Sequence, residues 1–272
     1  MRKNLLEISH RRKRRWVLIK WVSWLAVIFI FLALVVLIFY IPRFRINSVE
    51  LSGFESVDQK AALAEVSDII SGRYFYIIPK NNVLFLPKSE LENLFKNNLR
   101  IQNFSIQRNL SSKLTITIKE RKTWAVWCAF AGGAVSSCGL SDDEGFVFAP
   151  APSVEGSAIL KILDERGGDM IGKTFISKND LELINNVINR LPQKFNERVS
   201  AIEIKKGPIY HLDLKSGWYL ILDSEIKNSD IAFENLALTL NTLKEKKDNL
   251  EYVDLRFEGK VFYKMKDAMP SL

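Results

Sequence analysis

Residues 21–41 form an uninterrupted apolar stretch, which limits what the chain can fold into more than any other feature. None of these 21 residues is charged, and as an α-helix they would be about 31 Å long, close to the hydrocarbon thickness of a bilayer. Trp21, Trp24 and Tyr40 lie near the two ends of the stretch, and aromatic side chains favour the membrane–water interfaces. The sequence therefore predicts a transmembrane helix over residues 21–41.

A cleaved secretory signal is the alternative explanation for an apolar segment near the N-terminus. Such a signal has an apolar core of about 7–15 residues, followed by small residues at a cleavage site. Here the apolar stretch is longer, and the residues around its end are Tyr40, Ile41, Pro42, Arg43 and Phe44. We therefore favour a retained membrane anchor.

The positive charge of the chain is concentrated in its leader, residues 1–20. The eight basic residues and one acidic residue of the leader contribute +7 of the formal net charge of +8, so the remainder is almost neutral. Nucleic-acid binding needs Lys and Arg on the folded domain, so we expect no nucleic-acid partner. Basic flanks resist translocation, which predicts a cytoplasmic leader and places residues 43–272 outside the cytoplasm.

Two cysteines, Cys128 and Cys138, lie in the part of the chain predicted to be outside the cytoplasm. The residues between them favour a β-hairpin with Gly132 and Gly133 at its tip. A disulfide between the two cysteines would close this hairpin in an oxidising compartment. The alternative is a pair of free thiols that pack as small apolar side chains.

Residues 44–120 carry the signals of a strand, two helices and two further strands. Ser56 and Gln59 have the spacing of a capping box at the start of the first helix. Leu114, Ile116 and Ile118 alternate with polar residues, which predicts a last strand with one buried face. The predicted elements are a strand at 44–51, a helix at about 57–71, a short helix opened by Pro87 and Ser89, and strands at 101–106 and 114–118.

This order of elements, together with several short motifs, resembles the FtsQ/DivIB family of bacterial cell-division proteins. The motifs are Val49–Phe54, Leu114–Arg121, Ala125 with Trp127 after Glu120–Arg121, Gly145–Phe148 and Tyr252–Phe257. The resemblance implies a POTRA domain over residues 43–120. It also implies an FtsQ-type β domain over residues 121–264, followed by a short tail at 265–272.

The segment 121–264 is predicted to be rich in strands and to contain two helices. Asn179 and Glu182 have capping-box spacing before one helix, which we expect to end at Pro192. We expect an antiparallel sheet packed on the two helices, so that the whole chain is an α+β protein with one N-terminal transmembrane helix. The other predicted elements are a helix at about 230–246 and strands at 199–204, 209–214, 217–223, 250–257 and 260–264.

Residues 167–174 match the pattern G-x-x-x-x-G-K-[ST] of nucleotide-binding loops. In such loops a buried strand runs into the first glycine and a helix begins at the lysine, so that the helix N-terminus points at the phosphate. Here residues 161–166 are only weakly strand-like, and the next helix is predicted to begin at Asn179, well after Lys173. We therefore interpret the segment as a structural loop and expect no nucleotide.

The residues needed for common catalytic sites are scarce. The only histidines are His10 in the leader and His211 in a predicted strand, which makes a Ser/His/Asp triad or a histidine-based metal site difficult to build. Glu120 and Arg121 are predicted to form an ion pair at the end of a strand. We expect no catalytic residue, no metal and no cofactor.

Two functions are therefore considered. The first, implied by the resemblance, is a bitopic membrane scaffold at the division septum that recruits and regulates other division proteins through its exocytoplasmic domains. The second is a membrane-anchored POTRA module that handles polypeptides in envelope transport or assembly. Under both hypotheses the protein is not an enzyme.

The resemblance also implies a partner surface at the end of the second domain, where the family contacts the small coiled-coil division proteins FtsB (DivIC) and FtsL. Residues 252, 254 and 256 are predicted on one face of the strand and residues 253, 255 and 257 on the other. The last strands of a sheet can form an edge that accepts a partner segment. The alternative is an ordinary closing hairpin whose aromatic residues belong to the core. The matching residues are Tyr252, Val253, Asp254, Leu255, Arg256, Phe257, Val261, Phe262 and Tyr263.

Overall fold

The computed structural model describes residues 3–109, 112–131, 134–152, 159–226, 229–257 and 259–266. The predicted hairpin tip at Gly132 and Gly133 and nearly all of the predicted tail lie outside these residues. The chain divides into two compact units, Met1–Glu120 and Arg121–Leu272. The fold is α+β, with one N-terminal apolar helix and strands gathered into sheets.

The N-terminal helix α1 (Lys3–Phe39) is much longer than the predicted segment. Its apolar window, Trp16–Leu37, has a mean hydropathy of 2.5, and none of it is buried within the described part of the chain. The helix begins well before residue 21, because the Lys, Arg and Leu of the leader are good helix formers. The helix ends before Pro42, which opens a 3₁₀ turn, Pro42–Phe44, since proline cannot continue an α-helical hydrogen-bond ladder.

The first unit has the predicted order of strand, helix, helix, strand, strand, with an additional small hairpin between the helices. Its three-stranded sheet has the order β1-β5-β4, in which β1 runs parallel to β5 and β4 runs antiparallel to it. The elements are β1 (Ser48–Ser52), α2 (Gln59–Ser71), β2 (Arg73–Tyr74), β3 (Ile78–Pro79), α3 (Lys88–Asn97), β4 (Ile101–Asn109) and β5 (Lys113–Glu120).

The core of the first unit lies between one face of the sheet and the two helices. Leu114, Ile116 and Ile118 of β5 are buried, as the alternation in the sequence predicted. They belong to the same apolar cluster as Val66 of α2 and Phe95 of α3. Burial of each large side chain stabilises the unit by roughly 1.5–3 kcal/mol relative to an exposed one.

The predicted capping box at Ser56 and Gln59 was wrong. Asp58 is the N-cap of α2, and its carboxylate accepts hydrogen bonds from the amides of Lys60 and Ala61. The Ser56 hydroxyl instead donates to the Glu120 carboxylate. A carboxylate at the N-cap also interacts favourably with the helix dipole, so Asp58 is the better cap.

The second unit contains a nine-stranded sheet with the order β14-β13-β12-β11-β10-β9-β6-β7-β8. The helices of the unit are α4 (Lys178–Phe195) and α5 (Ser229–Thr242), and a 3₁₀ segment, Lys244–Asn249, follows α5. The strands are β6 (Ala125–Ala131), β7 (Ala134–Ser141), β8 (Val147–Pro150), β9 (Leu160–Asp164), β10 (Val199–Ile204), β11 (Ile209–Leu214), β12 (Tyr219–Asp223), β13 (Leu250–Asp254) and β14 (Phe262–Met265).

The prediction of an antiparallel sheet was wrong, because the sheet is mixed. β9 pairs in parallel with both β10 and β6, and β12 pairs in parallel with β13. Parallel neighbours need a long crossover connection. Here α4 connects β9 to β10, and α5 connects β12 to β13.

The start and end of α4 also differ from the prediction. Ser177, not Asn179, is the N-cap, and its hydroxyl accepts a hydrogen bond from the amide of Asp180. Pro192 lies inside the helix, which continues to Phe195 and ends at Asn196 in a left-handed conformation. Asparagine tolerates this conformation well, so Asn196 rather than Pro192 provides the stop signal.

Both helices of the second unit pack on one face of the sheet. A row of paired positions crosses from β9 to β13 on this face and is almost fully buried: Ile162, Ile202, Leu212, Leu220 and Val253. The same apolar cluster includes residues of α4 and α5. The opposite face carries the alternating residues of the same strands, which the helices do not cover.

Candidate functional site

The predicted partner residues lie at the β14 edge of the nine-stranded sheet. Tyr252, Val253 and Asp254 belong to β13, and Phe262 and Tyr263 belong to β14, which is the outermost strand. The remaining predicted residues, Leu255, Arg256, Phe257 and Val261, lie in the connection between the two strands. The tertiary structure therefore brings all nine predicted residues to one end of the sheet.

Some of these side chains belong to the core and others are exposed. Val253 is fully buried and Leu255 is 4% exposed, and the Leu255 amide donates to the Ile221 carbonyl of β12 at 3.0 Å. Phe257, which the alternation placed with them, is 49% exposed. The prediction for Phe257 was wrong because β13 ends at Asp254, after which the strand alternation no longer applies.

Asp254 and Arg256 form the turn that ends β13. The Asp254 carboxylate is 7% exposed and accepts hydrogen bonds from the Arg256 amide at 3.1 Å and from the Arg256 guanidinium at 2.9 and 2.6 Å. The hydrogen bond to Asp254 raises the pKa of Arg256. Arg256 is therefore held in place by a largely buried ion pair, and its loss would leave an unpaired charge in the fold.

Aromatic side chains cover the exposed part of this edge. Phe257, Phe262 and Tyr263 are each about half exposed, at 49%, 51% and 49%. The rings of Phe257 and Phe262 meet edge to face with centroids 4.9 Å apart. Exposed aromatic side chains beside a guanidinium group are typical of the central residues of protein–protein interfaces.

The backbone of β14 also has hydrogen-bonding groups that point away from the sheet. The Lys266 amide donates to the Asn249 carbonyl at 2.7 Å, so the alternation of an antiparallel ladder turns the amides of Tyr263 and Met265 outward. No strand among the described residues pairs with this side of β14. An edge of this kind can accept an extended segment of a partner.

The opposite edge of the sheet, β8, is covered. The Val147 amide donates to the Lys173 carbonyl at 3.0 Å, and the Gly172 amide donates to the Val147 carbonyl at 2.7 Å. Phe146 forms a further bridge with Thr174. The segment that matches a nucleotide-binding loop therefore occupies the hydrogen-bonding positions of an edge strand.

The geometry of residues 167–174 differs from that of a phosphate-binding loop. The strand β9 does precede the segment, which the weak sequence signal understated, but α4 begins at Lys178, five residues after Lys173. The Lys173 ammonium donates to the Asp169 carbonyl at 2.9 Å. The N-terminus of α4 therefore begins too late to be directed at a phosphate bound by Lys173, and the loop instead pairs with the edge of β8.

Sequence reasoning missed a row of aromatic residues on the uncovered face of the sheet. His211 stacks on Tyr219 with centroids 4.9 Å apart, and Tyr219 packs on Tyr252 at 5.4 Å. Burial, followed by the nearby Lys205, lowers the pKa of His211, which favours the neutral ring. Alternation within a strand shows only which side chains of that strand share a face. The pairing of β11 with β12 and of β12 with β13 brings the three rings together.

Cys128 and Cys138 lie directly opposite each other in β6 and β7. The structure joins them by a disulfide, with Cα atoms 4.0 Å apart. The disulfide lies on the face of the sheet away from α4 and α5, because its neighbour Trp127 faces the core. This places the disulfide far along the sheet from β14, with five strands between β6 and β14 in the sheet order.

The predicted ion pair of Glu120 with Arg121 was wrong. Glu120 accepts hydrogen bonds from the backbone of residues 55–57 in the first unit, whereas Arg121 pairs with Asp142 in the second. Adjacent residues at the end of a strand point in opposite directions, which separates the two charges.

A search of family models finds no match to this chain. Among curated proteins, the chain is similar to the cell division protein DivIB of Clostridium botulinum strain Hall. The two are 25% identical over 266 residues, which cover 95% of this chain and 94% of the relative. The chain is therefore distantly related to a cell-division protein over almost the whole length of both sequences.

Proposed function

We propose that the protein is a single-pass membrane scaffold of the cell-division machinery. The observation that carries this proposal is the similarity to a division protein over 95% of the chain, which includes the apolar helix as well as both units. In this proposal the apolar part of α1 crosses the cytoplasmic membrane, the basic leader stays in the cytoplasm, and residues 43–272 lie outside it at the division septum. The protein acts by binding, without catalysis, nucleotide or cofactor.

The first unit is proposed to be a POTRA domain. Its order of elements and the parallel pairing of β1 with β5 support this assignment. The second unit is proposed to be the FtsQ-type β domain that carries the partner surface. By family resemblance, the partners are the coiled-coil division proteins FtsB (DivIC) and FtsL.

The β14 edge is the proposed binding surface for these partners. An extended partner segment would pair with the outward amides and carbonyls of Tyr263 and Met265 and would contact the exposed rings of Phe257, Phe262 and Tyr263. Val253 and Leu255 support this surface from the core, and Asp254 fixes Arg256 beside it. Partner specificity would then come from the aromatic side chains and affinity from the backbone pairing.

Replacement of Tyr263 by proline tests the backbone part of this proposal. The Tyr263 amide points outward, so Tyr263→Pro removes a donor to a partner strand but no donor to β13. The expected result is loss of at least 90% of the coiled-coil partner in co-purification, with the melting temperature of the second unit nearly unchanged. Charge reversal at Arg256 is a poorer test, because it also breaks the buried pair with Asp254.

Two matched variants distinguish loss of the outward amide from loss of the aromatic ring and from loss of folding. Tyr263→Ala keeps the amide and should retain more partner than Tyr263→Pro, whereas Lys264→Pro removes an inward amide and should lower the melting temperature. Full partner recovery with folded Tyr263→Pro would show that strand pairing at β14 is not used.

The location of a fluorescent fusion in dividing cells tests the proposal of a division role. A band at mid-cell is the expected result. An even distribution around the envelope would favour the alternative of a membrane-anchored module for polypeptide handling, because such a task is not confined to the septum.

A further inference from the structure

Two short loops carry most of the exposed large apolar side chains among the described residues between 42 and 120. Among the described residues between 42 and 120, six large apolar side chains are exposed, and five of them lie in these loops. Phe75, Tyr76 and Ile77 join β2 to β3, and Leu84 and Phe85 precede α3. The sixth is Leu63. Such clustering on an otherwise polar surface indicates a contact with an apolar phase or a partner.

Both loops are hydrogen-bonded to the segment that follows α1. The Tyr40 hydroxyl donates to the Ile77 carbonyl, and the Val83 amide donates to the Phe44 carbonyl at 2.8 Å. Tyr40 comes three residues after the apolar window that ends at Leu37, a distance of about 5 Å along a helix. The two loops therefore lie at the level where the apolar helix ends.

The conformation of the β2–β3 loop is unfavourable for the residues it contains. Phe75 and Tyr76 have φ angles of 49° and 62°, in the left-handed region that bulky residues rarely adopt. Their side chains are 87% and 94% exposed, so their rings make little contact with the rest of the chain. Packing within the described chain therefore gives no reason for aromatic residues at these two positions.

We propose that Phe75, Tyr76, Ile77, Leu84 and Phe85 insert into the headgroup region of the bilayer that α1 crosses. This inference rests on the proposed membrane-spanning role of α1. Aromatic side chains favour the interfacial region of a bilayer. Arg43 and Arg45 are exposed in the adjoining segment and would interact with anionic headgroups. We call this set of five residues the membrane collar; it would hold the first unit against the membrane surface.

Depth-dependent fluorescence quenching tests the collar in the full-length chain. The chain is placed in nanodiscs of phosphatidylcholine and phosphatidylglycerol, with an NBD label on Tyr76→Cys and a doxyl quencher near the acyl-chain carbonyl. A label on Lys60→Cys in the first turn of α2 is the control. The residues that lead into α2 bond Glu120 at the end of β5, whereas Ser112, just before the start of β5, bonds Arg43, and an eight-residue strand separates the two ends by about 24 Å. The unsubstituted chain, whose cysteines are in a disulfide, measures background labelling.

The expected result is at least twofold quenching and a blue-shifted emission at position 76, with neither at position 60. If the chain resists alkaline carbonate extraction but position 76 is unquenched, the collar is wrong and the membrane-spanning proposal stands. If carbonate releases the chain, both proposals fall.

A glycine variant separates membrane contact from folding. Glycine adopts positive φ angles readily, so Phe75→Gly with Tyr76→Gly should leave the melting temperature of the first unit unchanged or higher. A label on Leu84→Cys should then lose at least half of its quenching, because the two rings no longer anchor the loops. Unchanged quenching at position 84 would contradict an anchoring role for Phe75 and Tyr76.

Discussion

At the scale of single residues, Glu120 determines the conformation of the chain that leads into α2. Its carboxylate accepts hydrogen bonds from the amides of residues 55–57 at 2.7–3.1 Å and from the Ser56 hydroxyl. Burial by itself would raise the pKa of Glu120, but these hydrogen bonds outweigh it and lower the pKa from 4.5 to about 2. The ionised carboxylate therefore stabilises the folded first unit.

Glu120→Gln should destabilise the first unit at pH 7 by about 1–3 kcal/mol, because charge-assisted hydrogen bonds are lost. Since the folded pKa is lowered, the contribution of Glu120 is present above pH 4.5 and is lost as the pH falls towards 2. Hydrogen exchange of the amides of residues 55–57 should therefore accelerate in the variant at pH 7, and the difference from wild type should shrink at low pH. Equal exchange in the two proteins at pH 7 would contradict this role.

Asp213, on the uncovered face of the large sheet, should have the opposite effect on stability. Burial, followed by repulsion from Glu203, raises the pKa of Asp213 from 3.8 to about 6. The folded state therefore holds the proton more tightly, and stability falls as the pH rises from about 4 to 6. Asp213→Asn should raise the free energy of unfolding by about 1–2 kcal/mol at pH 7 and leave it unchanged at pH 3.5. Urea denaturation at the two pH values measures this, and an equal gain at both would point to a cause other than titration.

At the scale of elements, the disulfide stabilises the hairpin of β6 and β7. Cys128 and Cys138 are 10 residues apart, and closure of a loop of this length contributes about 2–3 kcal/mol in the chain-entropy account. Mass analysis of exported protein without reductant should find a loss of two hydrogens, and Cys128→Ala with Cys138→Ala should lower the stability of the second unit by about this amount. Two thiols that alkylate without prior reduction would refute the prediction.

The loop at residues 167–174 covers the β8 edge through its backbone, so its lysine side chain should be dispensable. Lys173 is 56% exposed in its side chain, and Lys173→Ala should change stability by less than about 0.5 kcal/mol and leave division intact. Gly172 has a φ angle of +81°, so Gly172→Ala should cost about 1 kcal/mol or more and loosen the β8 edge. Thermal unfolding measures the change in stability of both variants, and the length of dividing cells shows whether division is intact in Lys173→Ala. A division defect in Lys173→Ala at normal protein levels would renew the case for nucleotide binding.

At the scale of the whole molecule, the asymmetry of charge between the two sides of the apolar residues 21–41 determines the expected orientation. The leader contains eight basic residues, which favours its retention in the cytoplasm. A cysteine at Ser9 should resist impermeant thiol reagents in intact spheroplasts, whereas one at the exposed Ser216 should react. Added protease should degrade the region after residue 42. Protection of that region, with reaction at position 9, would reverse the proposed topology.

The surface at the β14 edge could be predicted only in part. The alternation of Tyr252–Leu255 divided the side chains between two faces, because the period of a strand is local information, but it left open which face packs on the helices. Three other features depend on where β13 ends and on which strand it pairs with: the exposure of Phe257, the buried Asp254–Arg256 pair and the contact of Tyr252 with Tyr219. Those features are set by contacts between distant parts of the chain.

The sequence by itself determined the apolar helix, the existence and order of most helices and strands, and the buried face of β5, since hydrophobic length and periodicity act over a few residues. Only the tertiary structure decided that the large sheet is mixed, that residues 172–174 cover one of its edges, and that β14 forms the other. Strand order and register arise from pairing across tens of residues, and the energy of that pairing depends on which apolar faces are buried together.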